Sequence, residues 1–211
     1  MTVKSMGKIE TLLRWSSQRL PMARLARDTS GLAAVEFAMI VPLMLVMFFG
    51  TIEISNGVAA DRKVSIIAQS ISDLTSRYTS VSDTDISNFR AIAVAILTPY
   101  GATSLKATIT EAYIDPATGV ARSQWSKGDV PRALKSTVPV PAALIARDSS
   151  NKIIAGQYLI FSEVSYVYTP AVGFVMNKLG VTLTDQTYTR PRGSTCVFYP
   201  SVPTDNVCPT S

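Results

Sequence analysis

The chain has 211 residues, a formal net charge of +5, a pI near 9.3 and 47% hydrophobic residues, enough for one membrane segment and one modest globular domain. Its basicity sits in front: Lys4, Lys8, Arg14, Arg19, Arg24 and Arg27 against Glu10 and Asp28 give +4 before Gly31 and leave +1 for the rest. A basic leader on a nearly neutral remainder takes away the main support for nucleic-acid binding. With no histidine, no GxGxxG and no Walker loop, imidazole triads, the usual zinc sites and nucleotide-fold enzymes lose theirs, so neither enzyme activity nor a cofactor is expected.

Residues 1–30 mix serine, arginine and apolar residues, with Ile9, Leu12 and Leu13 on one possible amphipathic turn. Asp28, Thr29 and Ser30 are candidate helix N-caps. From Leu32 to Ile52 the chain is almost wholly apolar and carries one charge, Glu36. About twenty residues at roughly 1.5 Å each cover roughly 30 Å, the thickness of a bilayer core. A buried core helix seldom runs this long without a polar face, so residues 32–54 read as a transmembrane helix.

The basic leader keeps the N-terminus in the cytoplasm, so the C-terminal part lies outside it, in a bacterium in the periplasm. Glu36, in the first turns of the span, has two readings. A carboxylate there can snorkel to the interface and favour the helix N-terminus, or it can be held for a positive partner. Gly31 is either a flexible residue at the start of a helix or part of a processing site. Pro42 lacks the N–H that would bond the carbonyl of Ala38, and predicts a kink that is either tolerated or useful in packing.

Past the span, Gly57, Ala60, Val64, Ile67, Ile71, Leu74 and Tyr78 recur at spacings of three and four, which predicts that the helix continues over 55–78. Asp61, Arg62, Ser65, Gln69, Ser72 and Ser76 fall off this seam. Packing against the chain's own domain is the expected use of most of it, and a neighbouring helix is the alternative. Asn56-Gly57 is a candidate hinge.

Residues 79–211 read as an α+β domain. Ser, Thr and Asp over 79–84 break the helix and supply caps, and 85–97 carries Ile86, Phe89, Ala93, Ile96 and Leu97 at helical spacing, ending before Pro99. From Leu105 the period becomes two. Asp115-Pro116-Ala117-Thr118-Gly119 is a turn, and 120–126 returns to complete a hairpin. Residues 127–156 hold Pro131, Pro139 and Pro141, with a short helical or irregular piece around 142–146 and a loop at Ser149-Ser150-Asn151. The strongest strand is 157–168, with Tyr158, Ile160, Val164, Tyr166 and Tyr168 on one face and Leu159, Phe161 and Val167 on the other, hence central in the sheet. Its tyrosines are better read as packing than as a binding stripe. A short helix over 171–179 and a last strand over 181–190 follow, with a tail holding Cys196 and Cys208. In an oxidising compartment these two can pair, which would contribute roughly 2–3 kcal/mol; free thiols or half a metal site are the alternatives. Asp115, Asp129, Asp148, Glu163 and Asp185 show no paired spacing and read as solvated surface.

The block Gly31-Leu32-Ala33-Ala34-Val35-Glu36-Phe37, behind a basic leader and ahead of an apolar span, resembles the processing site of type IV prepilins. Glu-Phe makes it look most like the tight-adherence (Flp) branch and its TadE-type pseudopilins. An ordinary secretory signal is cut after its apolar region, whereas here the candidate site precedes it and the anchor would stay. The resemblance implies a minor pseudopilin cut after Gly31 by a prepilin peptidase at the inner membrane, acting in pilus assembly with other pilins and inner-membrane assembly proteins. Leu32 would carry the new α-amino group, and Glu36, followed by Phe37, the carboxylate that meets such an amine. The major Flp pilin is little more than a helix, so the size of this chain fits a minor or accessory role. An uncleaved, signal-anchored periplasmic binding or adhesion module is the competing reading.

Overall fold

The computed structural model describes residues 30–170 and 180–200. It is α+β: a long helix α1 (Ser30–Arg77), a second helix α2 (Asp83–Leu97), and strands β1 (Lys106–Ile114), β2 (Ala121–Gly128), β3 (Gln157–Tyr168) and β4 (Val181–Thr189). A single turn of 3-10 helix spans Ala142–Leu144. The chain divides into two compact units, Met1–Phe48 and Phe49–Ser211. In the first, the described residues are helix, and all but Val41 of residues 31–48 are exposed.

The second unit is built on an antiparallel sheet of order β2-β1-β3-β4, so β3 is interior as its two apolar faces require. Register follows the alternation of the strands: Ile109 faces Ser162, Thr110 faces Phe161 and Val164 faces Asp185. On one face Ala60, Val64, Ile67 and Ile71 of α1 and Phe89, Ala93 and Leu97 of α2 share a core with Ile109, Trp125, Ile160 and Val164. The heptad-like seam therefore packs on its own domain. The buried strip is wider than the spacing predicts: Ala68, Ser72, Thr75 and Ser76 are fully buried too, and Tyr78 is exposed. The hydroxyls are bonded where they are buried. Thr75 Oγ1 donates to the Ile71 carbonyl at 2.7 Å, and Ser72 Oγ to Thr189 Oγ1 at 2.9 Å.

Helix α2 starts two residues before the sequence-predicted position, because Ser82 is its cap. Ser82 Oγ accepts from Asp85 N and Asp85 Oδ2 accepts from Ser82 N, a reciprocal capping box. Ser82→Ala should cost the domain about 0.5–2 kcal/mol, read as a lower urea midpoint at unchanged slope.

Two segments do more than their sequence suggests. The segment 129–146, with the short helical piece expected around 142–146, forms a cover on the second face of the sheet. Val138 is buried there with Ala112, Ile114, Leu159 and Phe161, while Val140, Leu144 and Ile145 pack against them. Gln157 fastens this cover, accepting from Ala146 N at 2.7 Å and donating to Ala146 O at 2.8 Å. Covering explains why Thr108 and Thr110, polar positions of the alternation, are buried. The residues after β4 are likewise more than a tail. Phe198 bridges Ser80, and Val197 and Tyr199 are buried in the helix-side core. The helix predicted over 171–179 and the leader caps Asp28 and Thr29 lie outside the described residues.

Scattered carboxylates also turn out to organise the chain. Glu163 is half-buried in a two-pronged pair with Arg132, at 2.6 and 2.8 Å. Asp129 accepts from Ala107 N at 2.9 Å and pairs with Arg90. Asp115 and Asp148 hold turns by accepting backbone N–H groups, and Asp185 accepts from Gln186 N. Gly128 closes β2 at φ +134°, where a Cβ would stand 2.1 Å from the Ala107 carbonyl oxygen. Only glycine fits there.

Candidate functional site

The residues singled out for processing and assembly share one stretch of exposed helix. Gly31 stands in the first turn of α1, and a Cβ there would meet nothing within 4 Å. Leu32 is 60% exposed and Phe37 68% exposed. Leu32 and Glu36 are four residues apart, so they lie one turn apart on the same side of the helix. The Glu36 side chain is exposed, and no hydrogen bond or ion pair joins it to another described residue. The helix continues through Pro42. Met39, Leu43, Met44, Val46 and Met47 are each more than 60% exposed, an apolar surface of the kind that marks contact with a membrane or another protein. By length and composition α1 is able to cross a membrane, and among the described residues it is alone in that. One N-terminal apolar helix of this kind is consistent with a single-pass membrane protein.

The apolar stretch ends at a charge whose partner the sequence does not name. Glu53 Oε1 accepts from the hydroxyl of Tyr168 at 2.6 Å. Burial, then the bond to Glu53, push the Tyr168 phenol well above its ordinary range. A carboxylate directly after the uncharged run from Phe37 to Ile52 is a legible signal for a boundary contact, but its partner lies 115 positions away.

A second group was missed. Glu111 belongs to the apolar phase of β1, with Leu105, Ala107 and Ile109, and is 2% exposed. Its Oε1 accepts from Val197 N at 2.5 Å, while Trp125 Nε1 donates to Val197 O at 2.8 Å. Glu111 and Trp125 face each other across β1 and β2, just before the register skips Gln124. Burial pushes the Glu111 carboxyl up to about 8, against the opposing pull of the Val197 N–H and Trp125. The pair ties the chain after β4 to the sheet. Among the described residues no three of His, Cys, Asp and Glu come together as a metal site. Cys196 is buried; Cys208, its sequence-predicted partner, lies outside the described residues.

The model of the family described as TadE-like protein matches residues 31–69, beginning at the glycine of the prepilin-like block and ending in the seam that packs on the sheet. No curated protein and no solved structure matches the chain.

Proposed function

With a TadE-like segment over residues 31–69 as premise, we propose that this protein is a minor pseudopilin of a Flp/Tad-type pilus assembly system, cut after Gly31 by a prepilin peptidase. Its helix stays in the inner membrane with the N-terminus cytoplasmic, and its α+β head stands in the periplasm, where Cys196 pairs with Cys208. Its partners are the peptidase, other pilins and the inner-membrane assembly proteins. The observation that carries this reading is the start of the family match at Gly31, where the basic leader ends and the exposed apolar helix begins. Cutting at that bond removes the positive leader and puts a new amine one helical turn from Glu36.

The test is the mass and N-terminal sequence of the protein extracted from membranes of cells with and without the peptidase. A chain starting at Leu32 in the first strain and at Met1 in the second is expected. An intact Met1 end in both favours the uncleaved periplasmic binding or adhesion module. Gly31→Leu should block cleavage, because the side chain would occupy the space the peptidase needs at the bond; accumulation of the full-length band on an immunoblot is the readout. Unchanged processing would mean that the cut lies elsewhere.

A further inference from the structure

Where the apolar stretch ends, the head carries an apolar face of its own. Ile54 is 72% exposed, Val58 49% and Val181 54%. With Tyr168, Pro170 and Leu183 they line an open groove of ≈ 400 Å³. Glu53, Gly57 and the exposed Asp61 line it too; the Tyr168 hydroxyl donates to Glu53, and beside the groove Tyr100, edge-on to the Tyr168 ring at 5.9 Å, donates to the Asn56 carbonyl at 3.1 Å. The groove and the last apolar residues of the span, Phe49 and Ile52, belong to the same compact unit. At about 1.5 Å per residue, Ile54 lies roughly 3 Å and Val58 roughly 9 Å beyond Ile52 along the axis. The headgroup zone on each side of a bilayer core is roughly 5–8 Å deep. A span that ends near Ile52 therefore brings Ile54 into this zone and Val58 to its outer edge, where apolar side chains and tyrosines with bonded hydroxyls are favoured.

We propose that this face, formed by the turn of α1 after the span and the adjoining ends of β3 and β4, rests in the interfacial zone of the membrane that α1 crosses, with lipid as its partner. The head is then held to the bilayer by a second contact, independent of the helix. The proposal rests on α1 spanning the membrane, and the test separates the two.

The full chain, with Trp15→Phe to lower background, is placed in nanodiscs of phosphatidylcholine carrying bromine on the acyl chains. Three tryptophans are compared one at a time with that parent: V181W on the face, V46W in the span, and I154W, an exposed position beyond the opposite end of β3. V46W should be quenched, V181W should lose about half of its emission relative to unbrominated lipid, and I154W should be unaffected. Quenching of V46W but not V181W overturns the face contact and leaves the span intact. No quenching of V46W overturns the span itself. Emission from V181W that shifts only as protein-to-lipid ratio rises would assign the face to a second copy, against the proposal. Should V181W misfold, seen as a change in Trp125 emission in urea, I54W serves in its place.

Discussion

Replacing Glu111 by glutamine should make the head more stable at neutral pH and abolish most of its pH dependence between about 4.5 and 8. Burial raises the carboxyl of Glu111 from 4.5 to about 8, so the folded chain keeps a proton that the unfolded chain releases. The folded state thus binds more protons within that window, and stability must fall as pH rises through it, levelling off above about 8. Below pH 4.5 both states are protonated and the burial penalty is absent. For a carboxyl this buried the full effect is on the order of a few kcal/mol, a large share of the stability of a small domain. Glutamine keeps an oxygen for the Val197 N–H and cannot ionise. Urea unfolding of the full chain in detergent, followed through Trp125 at pH 5 and pH 8, gives the comparison. The unsubstituted protein should lose stability across that interval and E111Q should lose little. Equal slopes for both would exclude Glu111 as the group responsible. Tyr158, whose phenol is raised by burial and by the nearby Glu111, titrates too high to act in this window.

What the sequence made legible was everything that depends on local period. β3 matches its predicted bounds because both faces of 157–168 are written in apolar residues at a period of two. The seam from Gly57 to Leu74 names most of the helix face that reaches the sheet, and the Ser82 to Asp85 spacing marks a helix start. Long-range accommodation stayed hidden. Nothing local says that 129–146 folds back over Thr108 and Thr110, or that Val197 and Tyr199 return to the core beside Trp125. The prolines of the first segment and the polar flanks of the second mimic ordinary loop. Polar residues mislead for the same reason: Ser72, Thr75 and Ser76 look solvated until their hydroxyl partners are seen. Glu111, like Glu53, was an accessible exception, since a charge in the apolar phase of a strand already calls for a buried partner. The prepilin-like block is different in kind. Gly31 to Phe37 was readable because its meaning lies in the order of basic leader, glycine, acid and span, and not in tertiary contacts.

Glu36→Ala is expected to leave membrane insertion intact or improved while impairing pilus assembly. A charged side chain in a spanning helix costs about 2.5–3.5 kcal/mol at the centre and less near the end, where Glu36 lies, so alanine removes a penalty and not an anchor. Its side chain stands exposed with no partner among the described residues, so the substitution has nothing in the fold to disturb. If a new amine forms at Leu32, an amine and a carboxylate near 4 Å attract by about 4 kcal/mol at an effective dielectric of about 20, the same order as the insertion cost. The pair can form within one chain, since Leu32 and Glu36 are one turn apart, or between neighbours, where it would favour one axial stagger over others. Two readouts separate insertion from assembly: carbonate-resistant membrane fractionation, which should be unchanged, and the count of pili per cell, which should fall. Glu36→Asp, which keeps the charge on a shorter arm, should retain part of the function; Glu36→Gln, which keeps the length without the charge, should behave like alanine. Normal pili from the alanine variant would mean that the carboxylate has no positive partner in the assembled state, and the snorkelling role at the helix end would then be sufficient to account for it.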